Sequence, residues 1–158
     1  MKKLLLLTLA IATLISEGYS QIELGSTAVR LPIKNGGFVV YETDGHGLVA
    51  APEDLGSMDW GSAKIACDEL VLNGYSDWRL PTKEELNAIY VNLVKYGARR
   101  QSFNNGTIDD KGSINYWSST EYSSGLAWGQ RFDIGPIGGG EYYDFKKERF
   151  SVRAVRDF

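Results

Sequence analysis

His46 and Cys67 are the only histidine and the only cysteine in the chain, so a Ser-His-Asp or Cys-His arrangement would have to use them. His46 lies in the glycine-flanked stretch Asp44-Gly45-His46-Gly47, far in sequence from Cys67. Zinc sites commonly take three or four His or Cys ligands, more than this chain offers. No catalytic residue, zinc site or cofactor is expected. Asn104, Asn105, Asp109 and Asp110 carry the hard oxygen donors that Ca²⁺ prefers. A solvated polar loop explains them more simply, and they stay a weak Ca²⁺ candidate with no metal site assigned.

Binding chemistry has better material. Trp78, Trp117 and Trp128 have faces suited to stacking on a pyranose ring, unless they are spent on core packing. Tyr122, Tyr142, Tyr143 and the pair Lys146-Lys147 fall in or beside expected turns, and are the candidate ligand-binding residues. Loops on a rigid scaffold are where binding usually resides, which directs attention to 97–115 and 135–147. Arg79, Arg153 and Arg156 are read as structural, pairing with Asp77 or Glu121 to fix a junction between helix and sheet.

The elements that must position these residues are legible in part. Thr82 and Glu85 have the spacing of a capping box, in which each side chain satisfies a backbone N–H at a helix entrance. Pro81 holds Leu80 extended and stands where a hydrophobic staple to Leu86 is expected. The helix that follows places Leu86, Ile89, Tyr90 and Leu93 on one stripe and stops near Gly97. An earlier helix, capped by Asp59, carries Trp60, Ala63, Cys67, Leu70 and Val71 at helical spacing and ends at Asn73-Gly74. Cys67 on its apolar side reads as a buried small hydrophobe.

Strands account for the rest. A short edge strand is expected over 27–31. Phe38-Val39-Val40-Tyr41 has strong strand propensity, and a turn at Asp44–Gly47 pairs it with Leu48–Ala51 as a hairpin. The polar, aperiodic segment 97–115 reads as a surface loop. Strands resume at Tyr116–Thr120 and at Ala127–Ile134, where Trp128, Phe132 and Ile134 share one side and Arg131 and Asp133 the other. In Arg149–Val155, Phe150, Val152 and Ala154 alternate with Arg149, Ser151 and Arg153. The order is strands, two helices, then antiparallel strands, in one α+β domain.

Lys2 and Lys3, an apolar run from Leu4 to Ile15, and the small residues Gly18 and Ser20 have the layout of a secretory signal peptide over 1–20. The run is shorter than the roughly twenty residues a membrane-spanning helix needs, so no span is expected in the mature chain. Residues 21–35 form a short leader and edge segment, and 36–158 a single domain. The formal net charge of −3 grows slightly more acidic without the leader, and no basic face for nucleic acid is visible. A lone cysteine gives an exported chain no internal disulfide. Eighteen glycines favour a compact, loop-rich fold over a helical bundle.

Several stretches recur together: Gly45–Ala51, Trp60 with Ala63, Gly74-Tyr75 with Trp78-Arg79-Leu80-Pro81-Thr82 and Glu85-Leu86, Tyr116–Glu121, Ala127-Trp128, and Val152–Arg156. In this order and spacing the chain, from about Gly36 to Phe158, resembles the bacterial domain family named for the C-terminal domain of the Legionella collagen-like protein. That family is similar to the C-type-lectin-like superfamily. The resemblance implies a C-type-lectin-like α+β fold, two helices packed on a twisted antiparallel sheet, with the N- and C-terminal strands adjacent. It implies core or junction roles for Trp60, Trp78, Arg79, Pro81, Thr82, Glu85, Trp117, Glu121, Trp128 and Arg153. The domain occurs in secreted and surface proteins, and its namesake is associated with adhesion to sulfated polysaccharides. The Glu-Pro-Asn, Gln-Pro-Asp and Trp-Asn-Asp triplets of calcium-dependent lectins do not occur here. The cysteine pair of formylglycine-generating enzymes is likewise missing. The expectation is an exported, non-enzymatic module that binds a glycan or a surface protein, with a structural or assembly role in the cell envelope as the first alternative and an enzyme as the second.

Overall fold

The computed structural model of the chain describes residues 33–96, 103, 114–133 and 139–158. The expected edge strand at 27–31, the leader, and Ile134 lie outside the described residues.

Both helix entrances form as their side chains dictate. Asp59 caps α1 (Trp60–Asp68), its carboxylate accepting the Ser62 N–H at 3.1 Å and the Ser62 hydroxyl at 2.7 Å. Thr82 caps α2 (Lys83–Ile89): its hydroxyl accepts the Glu85 N–H at 3.2 Å, and the Glu85 carboxylate accepts the Thr82 N–H at 2.8 Å. This reciprocal pairing is the capping box read from the spacing. Pro81 is buried ahead of it, and its carbonyl accepts the Ser119 N–H at 2.7 Å, tying the cap to the sheet. α2 runs on as a π-helical turn over Tyr90–Lys95, and Leu86, Ile89, Tyr90 and Leu93 are all buried as their stripe requires.

α1 is shorter than expected. It ends at Asp68, so Val71 leaves the apolar stripe and is 73% exposed. Asn73-Gly74 does not terminate the helix; it is the centre of a tight turn in which Leu72 and Tyr75 exchange two backbone hydrogen bonds. Both central residues are left-handed, with φ of 53° and 84°. The same Asx-Gly chemistry recurs at Asn35-Gly36 and Asp44-Gly45, as two-residue turns with two positive φ values demand.

Asp44-Gly45 joins β1 (Phe38–Thr43) to β2 (His46–Ala50); His46 opens β2 and does not sit in the turn. β8 (Val155–Asp157) pairs with the other edge of β2, so the first hairpin and the last strand lie side by side, as expected. A second sheet has the order β3-β7-β4-β5-β6, with β3 at Ser57–Met58, β4 at Asn115–Ser123, β5 at Leu126–Arg131, β6 at Glu141–Phe145 and β7 at Phe150–Ser151. Its pairings are antiparallel except where β4 meets β7 at Tyr116 and Ser151.

The single alternating strand expected over Arg149–Val155 is therefore two strands in two sheets. Between them Val152, Arg153 and Ala154 are buried regardless of parity, because the chain crosses from one sheet to the other inside the protein.

Two clusters fill the interior. One holds Phe38, Val40, Leu48, the α2 stripe, Tyr116 and Phe132; the other holds Val49, Trp60, Cys67, Trp78, Trp117 and Val152. Alternation divides neighbours between them, as with Tyr116 and Trp117 on β4 or Leu48 and Val49 on β2. Phe103 overturns the reading of 97–115 as simply a surface loop. It is 1% exposed in the first cluster, with ring centroids 6.0 Å from Tyr116 and 5.5 Å from Phe132. Burying such a ring contributes about 2–3 kcal/mol, enough to draw this point of the segment inward.

Candidate functional site

The face of the second sheet that bears Phe132 is covered by α2 at one end only. Phe132, one residue past the end of β5, and Gln130 within it are each 1% exposed. Trp128, two residues further along the same face, is half-buried and lies where the helix begins, with the Lys83 ammonium 4.2 Å from its ring centroid. Beyond the helix the sheet face is open. The register places Trp128 opposite Tyr143 and Leu126 opposite Phe145, so all four side chains share that face. Tyr122 joins them from β4, whose pairing with β5 is irregular on either side of Glu121.

Tyr122 and Tyr143 stand on β4 and β6, the two strands that flank β5, yet their rings stack at 3.9 Å between centroids and 6° between planes. The stacked pair therefore bridges the strand between them. Trp128 meets both rings edge-on, at 5.4 Å and 79° to Tyr122 and 5.5 Å and 85° to Tyr143. Tyr122 is 49% exposed and Tyr143 47%. A hydrogen bond with the Tyr143 side chain raises the Tyr122 phenol above its ordinary value. Lys83 pairs with Glu141 at 2.9 Å beside the tryptophan. The arrangement offers flat aromatic faces, phenol hydroxyls and a balanced ion pair on a sheet already fixed by folding. It can stack and donate hydrogen bonds.

The candidate residues read from the sequence divide accordingly. Tyr122 and Tyr143 come together; Tyr142 does not join them. Successive strand residues face opposite ways, and Tyr142 packs edge-on to Phe150 at 5.6 Å beneath the other face. Lys146 is occupied, pairing with Glu121 at 3.0 Å, donating to the Ser124 carbonyl at 3.0 Å, and lying 4.4 Å over the Trp60 ring. Lys147 is exposed, 5.5 Å over the Phe145 ring at the margin of the strip.

Trp60, Trp78 and Trp117 are core residues, and each donates its indole N–H to a backbone carbonyl, of Ser118, Leu72 and Met58 respectively. Trp128 departs from the core role expected of it, because α2 begins too late to cover it. Glu121 also departs: its partner is Lys146 at the surface, and none of the arginines. Arg156 does hold Asp77, by two hydrogen bonds at 2.7 and 2.9 Å, while Arg79 takes Glu85 and Asp157. Arg153, with a side chain 0% exposed, pairs with Asp54 at 2.6 Å, and Asp54 also accepts the Tyr116 hydroxyl at 2.8 Å. Burial, then the Asp54 charge, pushes the Tyr116 phenol far above its ordinary range.

Asn104, Asn105, Asp109 and Asp110 lie outside the described residues. Among the described residues no group of three or more His, Cys, Asp or Glu side chains is placed to hold a metal ion. Cys67 is buried against α1's neighbours, and burial, then Asp68, pushes its thiol up to about 12. Sequence reasoning missed Lys83, Glu141 and Phe145. The last two had a signal, since Glu141, Tyr143 and Phe145 alternate on one face of a five-residue strand.

A family model described as the Lcl C-terminal domain matches residues 41–156, a span that runs from β1 into β8. No curated protein matches the chain.

Proposed function

The chain belongs to the Lcl C-terminal domain family, and from that premise we propose that it is an exported, non-catalytic binding module of the bacterial cell surface. On this reading it engages a glycan or a protein partner through the open face of β4, β5 and β6. The observation that carries it is the Tyr122–Tyr143 stack over β5, half-exposed and braced by Trp128. Aromatic side chains are normally drawn into a core, and a group of them ordered on an open face marks an interaction site. The reading places the site on the sheet face itself, where β6 supplies the part of the expected loop 135–147 that carries Tyr143.

The proposed fold is C-type-lectin-like. Support comes from the two helices packed against the sheets and from β8 lying beside the first hairpin. Export rests on the Lys2-Lys3 pair and the apolar run after it. Among the described residues no helix is long and apolar enough to cross a membrane. A non-catalytic role accords with the burial of Cys67, whose thiol is pushed up to about 12.

Fractionation of cells expressing the full chain tests export, and its accumulation in the cytoplasm would refute it. A glycan array and a pull-down from envelope extracts, each with wild type and a Tyr122→Ala, Tyr143→Ala double variant, test the binding face. Loss of a captured ligand in the double variant with folding intact is the expected result. Binding unchanged by it would move the site elsewhere, and no ligand in either experiment would favour a structural role in the envelope.

A further inference from the structure

Resting on the binding-module reading, we infer that the ligand seated on the Tyr122–Tyr143 stack is an uncharged hexopyranose glycan with equatorial substituents, such as a β-linked glucose or N-acetylglucosamine chain. Such rings present a flat face of axial C–H groups. The outer ring faces of Tyr122 and Tyr143 are flat and turned away from one another, because their inner faces are spent on the stack at 3.9 Å and 6°. The phenol hydroxyls lie at the ring tips, where a sugar's equatorial hydroxyls would meet them while its C–H face covers the ring. Trp128, perpendicular to both rings and about equally close to each, holds the pair in place before any ligand arrives, so little ordering remains to be done on binding.

Area and charge narrow the occupant. Tyr122, Tyr143 and Phe145 are 49%, 47% and 57% exposed. At about 150–250 Å² for each whole side chain, they offer roughly 300 Å² together. A stable protein–protein interface takes about 800 Å² from each partner, so the strip is too small for a second copy of this chain but ample for one or two sugar rings. Lys83 is matched by Glu141 at 2.9 Å and Lys146 by Glu121 at 3.0 Å. Among the described residues beside the strip, a sulfated or carboxylated chain would meet Lys83 and Lys146 already paired and only Lys147 without a carboxylate partner, whereas an uncharged one disturbs neither pair.

The test titrates the full chain with cellotriose, chitotriose and a heparin-derived tetrasaccharide, read by calorimetry and by saturation transfer to the ligand protons. Wild type is compared with Tyr143→Ala, Tyr143→Phe and Tyr96→Ala, the last an exposed tyrosine away from the strip. At least one neutral trisaccharide should bind, with saturation transfer strongest at its axial C–H protons. Tyr143→Ala should weaken it by about tenfold, Tyr143→Phe by less, and Tyr96→Ala not at all. If Tyr143→Ala unfolds the protein, Tyr122→Ala carries the same expectation. Binding of the heparin fragment alone, binding of neither trisaccharide, or neutral binding indifferent to Tyr143 would overturn the inference. A captured protein partner that depends on Tyr122 and Tyr143, with no neutral glycan bound, overturns it too while leaving the binding module standing.

Discussion

Arg79 and Glu85 are joined by two hydrogen bonds, at 2.6 and 2.7 Å, through the same carboxylate that accepts the Thr82 N–H at 2.8 Å. The helix cap is thereby an anchor. Arg79 also reaches Asp157 on β8 at 2.9 Å, and its backbone exchanges two hydrogen bonds with Val155. One carboxylate therefore fixes the start of α2, the last strand and the segment before the helix. The distance from this cap to the open sheet face is short, since Lys83, the first helical residue, is the one that lies over Trp128.

Acid should expose this linkage. Burial works to raise the Glu85 carboxyl, but the Arg79 hydrogen bonds, the Thr82 N–H and the Arg79 charge together hold it below its ordinary value. A group whose folded value is depressed stabilises the fold fully above its unfolded value, about 4.3, and that contribution is lost as pH falls through the folded value. Urea unfolding followed from about pH 7 to about pH 3 should therefore show stability falling below about pH 5, with a shallower acid limb in Glu85→Gln. At neutral pH, Glu85→Ala should cost about 1–2 kcal/mol, chiefly the cap, since Arg79 is one-third exposed and its ion pair partly screened.

Arg153 makes a more demanding pair with Asp54. Its guanidinium is fully buried, donates to Asp54 at 2.6 Å and to the carbonyls of Ala51 and Pro52, and lies 4.0 Å over the Phe103 ring. Removing the carboxylate takes the 2.6 Å ion-pair partner from a fully buried cation. Asp54→Ala should cost about 3–5 kcal/mol, measured by thermal or urea unfolding, and Asp54→Asn less. An effect below about 1 kcal/mol, the scale of an exposed ion pair, would contradict the burial of this pair.

How far these features could be read from the sequence depends on the range of the interaction. The Thr82–Glu85 box and the Asp44-Gly45 turn are complete within four residues and form as their chemistry requires, whereas Asn73-Gly74, expected to end α1, makes a turn of the same kind. Arg153 and Asp54 are 99 residues apart, and no local pattern pairs them; of the carboxylates nearer in sequence, Asp77 is held by Arg156 and Glu121 by Lys146. Trp117 and Trp128 look alike in sequence, each a tryptophan in an alternating strand. Periodicity assigns a face but not what covers it, and the start of α2 leaves Trp128 half outside. The break between β7 and β8 was hidden for a similar reason: Val152, Arg153 and Ala154 are enclosed on both sides, so alternation carries no inside and outside there.

Cys67 should be chemically silent in the folded protein. With its thiol pushed up to about 12 by burial and then by Asp68, the thiolate is about one part in ten thousand at pH 8, and the thiolate is the reactive species. A disulfide reagent should label the unfolded chain at the ordinary rate and the native chain at least about a hundredfold more slowly. Native labelling should track global unfolding as urea is added. Rapid labelling without urea would mean that α1 opens locally.

Two glycines of the first hairpin separate crowding from backbone strain. A Cβ on Gly47 would stand 2.1 Å from the Tyr41 carbonyl oxygen and 3.0 Å from the Phe158 ring. Gly47→Ala must therefore part β1 from β2 or shift the C-terminal residue, costing about 1–3 kcal/mol. A Cβ on Gly45 meets nothing within 4 Å, but its φ is +83°. Gly45→Ala should cost about 1 kcal/mol, and Gly45→Asn less, since Asn tolerates that region. Urea midpoints for the three variants should order as Gly45→Asn, Gly45→Ala, Gly47→Ala, from most to least stable.

Phe103 gives the sharpest contrast between a surface loop and an anchor. Its ring joins Tyr116, Phe132 and, through Phe132, Tyr90, with centroid separations of 4.3 to 6.0 Å in that group. Its carbonyl lies 3.2 Å from the Tyr116 hydroxyl, whose proton is shared with Asp54 at 2.8 Å, and the Arg153 guanidinium lies over its ring. Truncation removes a buried ring whose neighbours are held by strands and an ion pair, so collapse into the space is resisted. Phe103→Ala should then cost about 3–5 kcal/mol, and Phe103→Leu about half as much or less. A residue on a solvated loop would change stability by no more than about 0.5 kcal/mol, so urea unfolding of the alanine variant decides between them. Because Tyr116 also holds Asp54, Phe103→Ala and Asp54→Ala share partners, and their double variant should lose less than the sum of the single losses.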